Sequence, residues 1–160
     1  NTVEEYLSYK PEPYELLIDT QTVKEKAFLV ACGNASQYGN NAFIAPHANI
    51  QDGKMDITIL SPFGPLDIAP LAIQLFTKQI DRNSKIKTFK GKEVTIIRQN
   101  PGVMHLDGEP IMADSRIEIS VLPKSLNVLT PETVSFTEEV QNLFGEVTRF
   151  FDKKLPYIFR

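Results

Sequence analysis

The chain is 160 residues long, 42% hydrophobic and 23% charged, with a formal net charge of −3 and a pI near 5.4; that is enough for one domain, or one with a small appendage, around a proper core. The acidic balance argues against a general phosphate-backbone binder, so no nucleic-acid partner is expected. No apolar run approaches the ~20 residues of a membrane helix, no signal peptide opens the chain, and the single cysteine, Cys32, leaves no internal disulfide and fits a reducing, cytoplasmic setting.

Residues 1–13 (NTVEEYLSYKPEP) are polar and close on two prolines, which suits a connector. The start at Asn1, without Met, is compatible with an excised piece. Tyr14–Asp19 reads as a strand ending in a Thr/Gln turn, and Lys24–Cys32 as a second, longer strand; the two are expected to form a hairpin. Ala27–Ala31 is apolar on both faces, the mark of a strand covered on both sides. Gly33–Asn41 (GNASQYGNN) is the longest small- and amide-rich stretch and tolerates left-handed backbone. Ala42–Pro46 reads as a short apolar strand. After His47–Ile50 and an Asp52-Gly53 pair comes Lys54–Leu60, a clear strand in which Met55, Ile57 and Ile59 alternate with Asp56 and Thr58.

Ser61–Pro65 is a turn rich in Pro and Gly. Asp67 reads as an N-cap, Pro70 is tolerated in the first turn, and Leu71, Ile73, Leu75, Phe76 and Ile80 are apolar, so a helix is expected over Ile68–Ile80. Ile86–Phe89 and Glu93–Arg98 read as strands around the Lys90-Gly91-Lys92 turn, and Val103–Leu106 and Ile111–Met112 as strands around Asp107-Gly108. Arg116–Leu122 alternates Ile117, Ile119 and Val121 with Glu118 and Ser120, a strand with one wet face. Leu126–Leu129 is a short last strand before Pro131. Ser135 with Glu138 makes a capping box, and Val140, Leu143, Phe144, Val147, Phe150 and Phe151 form one stripe, so Ser135–Lys154 is expected to be an amphipathic helix. Short strands with turns every ~8–12 residues indicate a mainly β fold, an antiparallel sandwich or barrel-like sheet with a helix or two.

The stretch Met104–Pro110 (MHLDGEP) carries the most chemistry. On a straight strand His105, Asp107 and Glu109 would share a face. Three ionisable groups aimed at one place is what proton transfer or metal binding requires. Asp-Gly is also the strongest short hairpin signal. A turn at Gly108 breaks the alternation, which weighs against a His-x-Asp-x-Glu metal set. From the residues alone, turn and catalysis both stay open.

The order of motifs supplies more. AFLVACGNASQYGNNAFIAPHANIQDGKMDITIL, then HLDGEP, then RIEISVLPKSLNVLTP, over roughly residues 14–131, resembles the C-terminal domain of the diacylglycerol kinase and sphingosine kinase family of lipid kinases. The resemblance implies a β-sandwich that holds the lipid, paired in the family with an α/β domain whose GGDGT motif binds ATP. No GGDGT-like stretch occurs here, so residues 1–131 are expected to be that substrate-binding domain, shortened at its start, and residues 132–160 a helical extension. The ATP-binding domain of the same parent chain is the implied partner, ATP the co-substrate and Mg2+ the metal; the piece alone is expected to be inactive.

Carried over by position, Asp107 matches the family's general base and Glu109 the carboxylate beside it. Asp52 matches a position associated with a structural magnesium completed by backbone carbonyls. Asn34, Tyr38, Gly39 and Asn40 match a loop near the cleft between domains, although Asn40-Asn41 stands where further glycine is usual. His47 reads as a loop histidine and Cys32 as a small buried hydrophobe. The tail helix is expected to pack on its own sandwich, with the ATP-binding domain or a second copy of the chain as other docking partners. Arg149, Lys153, Lys154 and Arg160 among Phe150, Phe151, Tyr157 and Phe159 allow at most peripheral membrane contact, and Glu138, Glu139, Glu146 and Asp152 oppose it. Two rivals to the lipid kinase are a non-catalytic lipid- or partner-binding module of the same fold and a soluble-substrate kinase like the nicotinamide dinucleotide kinases.

Overall fold

The computed structural model describes residues 11–127 and 129. The chain divides into two compact units, Asn1–Lys124 and Ser125–Arg160, and every element that follows belongs to the first. In chain order these are β1 (Glu12–Ile18), β2 (Gln21–Ala27), β3 (Leu29–Gly33), β4 (Met55–Leu60), helix α1 (Ile68–Phe76), β5 (Ile86–Gly91), β6 (Glu93–Arg98), β7 (Gly102–Leu106), β8 (Glu109–Ala113) and β9 (Arg116–Ser120). β2, β1, β6 and β9 make one sheet in that order, β3, β4 and β5 a second, and β7 with β8 a separate ribbon. All pairings are antiparallel.

The two larger sheets share one core. Leu16, Ile18, Val23, Ala27, Val94 and Ile96 from the first meet Met55, Ile57 and Ile59 from the second. Leu16, Ile57 and Ile59 are fully buried, each contributing about 1.5–3 kcal/mol of transfer free energy. The mainly β, antiparallel sandwich with one helix is as the strand spacing indicated.

The expected Lys24–Cys32 strand is in fact two strands in different sheets. The break falls at Phe28, whose N–H donates to the Leu60 carbonyl at 2.7 Å and whose ring meets Phe63 edge-on at 4.8 Å. The run is apolar on both sides because it crosses between sheets. Its first half does pair with β1 as a hairpin, in register Ile18↔Gln21. β5 and β6 likewise lie in different sheets, joined through Gly91. A Cβ on Gly91 would stand 2.6 Å from Ile18 Cγ2, so any other residue there forces the Ile18 side chain or the backbone to shift.

Asp19, at φ 49°, seals this corner. Its Oδ1 accepts the N–H groups of Lys92 (2.9 Å) and Glu93 (3.0 Å), and these hold its carboxyl below the usual range.

The helix is shorter than expected. It ends at Phe76, and Lys78, at φ 59°, turns the chain left-handed before a single 3-10 turn at Ile80–Arg82. Asp67 does not cap it by its side chain; Oδ2 accepts the Gly64 N–H at 2.8 Å instead. Leu71 and Ile80 are buried, whereas Ile73 and Phe76 face outward. Ala42–Pro46 is not a strand: Phe43 and Ala45 are buried, but their N–H groups go to Leu75 O (2.9 Å) and Ser36 O (3.2 Å). Leu126, Asn127 and Leu129 are in no strand, and the expected helix Ser135–Lys154 lies outside the described residues. Among those described, no helix is long and apolar enough to cross a membrane.

Candidate functional site

The β7–β8 ribbon carries the acid motif at its tip. Its register pairs His105 with Pro110 and Leu106 with Glu109, leaving Asp107 and Gly108 as a two-residue turn with φ of 49° and 92°. Two positive values are what a type I′ turn requires, and Asp-Gly meets them without clash. Opposed residues share a face, so Glu109 lies with Leu106, and His105 lies with Pro110 on the other side. The turn thus undoes the single face that a straight strand would give. His105, Asp107 and Glu109 are all exposed. Among the described residues no group of three His, Cys, Asp or Glu is arranged to hold a metal.

Arg98 holds this ribbon to the sandwich. Its Nη2 donates to Gly102 O at 2.7 Å and to Ala113 O at 2.6 Å, and these two residues are register partners at the ribbon's base. Its Nε donates to Asp114 O at 3.2 Å, and its own backbone N–H to Ser115 O at 2.8 Å. A planar guanidinium with five donors can hold both strands at once, where an ammonium would hold one point. In the sequence Arg98 is only a strand end, because carbonyl acceptors leave no side-chain signature. Arg98 also lines an open groove of about 490 Å³ with Tyr14, Lys26 and Ile97.

The Gly33–Asn41 loop places Tyr38, Gly39 and Asn40 in one turn, with Asn34 four residues before it. Ala42 N–H donates to Gly39 O at 2.9 Å, and Tyr38 N–H to Ala42 O at 2.8 Å. Asn40 and Asn41 both sit at positive φ, 47° and 61°. Asparagine accepts that region more readily than other residues with a Cβ, which is how two asparagines stand where glycine is usual. Asn34, Tyr38, Gly39 and Asn40 are exposed.

Asp52 belongs to a different group. Its Oδ1 accepts the Lys54 N–H at 2.8 Å, and its Oδ2 lies 3.4 Å from Lys90 Nζ. That ammonium is also 3.1 Å from Asp56 Oδ2 and donates to His47 O at 3.0 Å. Asp56 and Lys90 are direct cross-strand partners of β4 and β5. Asp56 Oδ2 is buried without a well-aligned donor, so the ammonium is its compensation. The Lys54 N–H, and after it Lys90, holds the Asp52 carboxyl below its usual range despite partial desolvation. Burial works against the Lys90 charge, but Asp56 and Asp52 outweigh it and keep Lys90 above the usual lysine range. A divalent ion on the same Asp52 carboxylate would stand beside that ammonium, which already holds the carboxylate, and be repelled by it. The donor set around Asp52 therefore does not fit a structural magnesium while Lys90 is in place.

The other face of this group is a cavity of about 200 Å³ lined by His47, Thr58, Asp81 and Thr88 beside Asp56 and Lys90. His47 Nε2 lies 3.3 Å from Asp81 Oδ2, and Thr58 Oγ donates to Ile44 O at 2.9 Å. Cys32 is half-buried on β3, and burial pushes its thiol up to about 12. Among the described residues no hydrogen bond or ion pair joins the acid turn, the 34–41 loop and Asp52 to one another.

Comparison with known proteins identifies the fold and its family. Residues 1–130 match the family described as the YegS C-terminal NAD kinase beta sandwich-like domain. A Shewanella frigidimarina protein named "Probable lipid kinase YegS-like" is 29% identical over 78% of this chain and 40% of its own length. A Mycobacterium tuberculosis protein named "Diacylglycerol kinase" is 29% identical over 76% of this chain and 39% of its own. The chain thus spans about two-fifths of these relatives. A Bacillus anthracis diacylglycerol kinase structure superposes with a TM-score of 0.60 at 22% identity, covering 77% of this chain and 44% of that one; it shares the fold.

Proposed function

The chain belongs to the YegS C-terminal NAD kinase beta sandwich-like domain family, and from that premise we propose that it is the substrate-binding and catalytic-base domain of an ATP-dependent lipid kinase acting on a hydroxyl of the diacylglycerol or sphingoid-base class. The observation that carries the reading is the acid turn: Asp107 stands exposed at the tip of a ribbon whose base Arg98 fixes through both strands. A base that must meet a substrate delivered from elsewhere needs exposure and a fixed position together.

Phosphoryl transfer asks the protein for positioning and for a proton acceptor. As the lipid hydroxyl oxygen bonds to the γ-phosphorus, its proton passes to the Asp107 carboxylate. The bond from the γ-phosphorus to the bridging oxygen breaks, and ADP leaves. Glu109, an exposed oxygen donor two residues from the base, would be the group of this chain that meets the Mg2+ carried by ATP, and that ion would supply neutralisation of phosphate charge. Asn34, Tyr38, Gly39 and Asn40 supply exposed amide, hydroxyl and backbone groups to the substrate side, and Val103, Leu106, Ile111 and Met112 put exposed apolar surface beside the turn. ATP itself is assigned to a further domain of the parent protein.

The test is a transfer assay with radiolabelled ATP on the parent protein, offering diacylglycerol, a sphingoid base and a nicotinamide dinucleotide in parallel. Phosphorylation of either lipid supports the reading. Phosphorylation of the dinucleotide alone replaces it with a soluble-substrate kinase, and transfer to none leaves a lipid- or partner-binding module.

A further inference from the structure

We propose that the Lys90 ammonium is the resident cation of the site formed by Asp52, Asp56 and the His47 carbonyl, and that in this chain it takes the place of a divalent metal ion there. Three oxygens lie close to the ammonium: His47 O at 3.0 Å and Asp52 Oδ2 at 3.4 Å accept from it, and Asp56 Oδ2 stands 3.1 Å away as an ion pair. Hard oxygens converging on one point from two carboxylates and a carbonyl are also what Mg2+ or Ca2+ seeks. The difference is that the cation here is covalently attached to the protein. It reaches the site from β5, directly across the ladder from Asp56 on β4.

The arrangement has a structural purpose that a metal would otherwise serve. His47 and Asp52 lie in the connection between β3 and β4, and Asp56 lies within β4. Lys90 therefore ties that connection to the sheet while neutralising a carboxylate whose side chain is only 11% exposed. The His47 side chain also lies 3.3 Å from Asp81 Oδ2. None of this depends on whether the parent protein phosphorylates a lipid.

Titration with Mn2+ followed by electron paramagnetic resonance tests the assignment on the wild-type chain and on Asp52→Asn, Lys90→Met and the Lys90→Met/Asp52→Asn double variant. Wild type and Asp52→Asn should bind Mn2+ alike, with no site that depends on Asp52. Lys90→Met should gain one Mn2+ site that the double variant loses, with its melting temperature raised by about 3 °C in Mn2+ relative to chelator. A wild-type Mn2+ site abolished by Asp52→Asn overturns the proposal, and so does a folded Lys90→Met that gains none. If Lys90→Met fails to fold, the wild-type and Asp52→Asn titrations still decide.

Discussion

Arg98 Nη2 lies 2.6 Å from the carbonyl of Ala113, fifteen residues further along the chain. With the matching 2.7 Å bond to Gly102 O, this one nitrogen fixes both strands of the ribbon that carries Asp107. Charge-assisted hydrogen bonds of this kind each contribute about 1.5–3 kcal/mol. Arg98→Met should lower stability by roughly that amount for the set, and amide hydrogen exchange should quicken mainly in 102–113. Unchanged exchange in the ribbon would show that Arg98 does not anchor it.

Gly91 and Ile18 make the second close relationship. An added Cβ meets Ile18 Cγ2 at 2.6 Å at the point where the chain passes between sheets. Gly91→Ala should destabilise by about 1–3 kcal/mol, the usual range for overpacking a filled site. The denaturant midpoint should fall with an unchanged m-value; a midpoint equal to wild type would mean that the corner yields without strain.

Acid stability should depend on Asp19. The Glu93 and Lys92 N–H groups lower its folded pKa relative to the unfolded chain. The unfolded state then binds protons first as pH falls, so the contribution is present above the ordinary carboxylate pKa of ~4 and fades below it. Asp19→Asn should therefore flatten the acid limb of the stability curve below about pH 4 and leave its slope near neutrality unchanged. Parallel wild-type and variant curves across pH 2–5 would contradict this.

Cys32 should be inert in the folded chain. With its thiol pushed up to about 12, thiolate is scarce at pH 8, and thiolate is the reactive form. A thiol reagent should label Cys32 only after denaturant is added. Rapid labelling of the native protein would place the sulfur in open solvent.

How far the sequence discloses all this follows the range of the interactions involved. The Asp107-Gly108 turn, the β1–β2 hairpin and the β4 strand are local, and each is readable from spacing. The crossing at Phe28 was not, because an apolar run reads the same whether it is covered in one sheet or passes between two. Nor was the end of α1: Lys78 in a left-handed conformation carries no glycine to announce it. The Ala42–Pro46 stretch alternates burial as a strand would, but its N–H groups find partners in α1 and the preceding loop. Lys90, Asp56 and Asp52 meet only through the β4–β5 register, a long-range fact that no short motif encodes. The family resemblance reached further than the periodicity, since it rests on the order of motifs over most of the chain.

The central claim is that Asp107 accepts the substrate proton, and one substitution in the parent protein addresses it directly. Asp107→Asn keeps the size and the turn-forming tendency of the residue and removes the base, so kcat for lipid phosphorylation should fall by about 10²–10⁴-fold, with the melting temperature and the KM for ATP close to wild type. Full lipid kinase activity in a folded Asp107→Asn protein would contradict the account and leave this acid a turn residue.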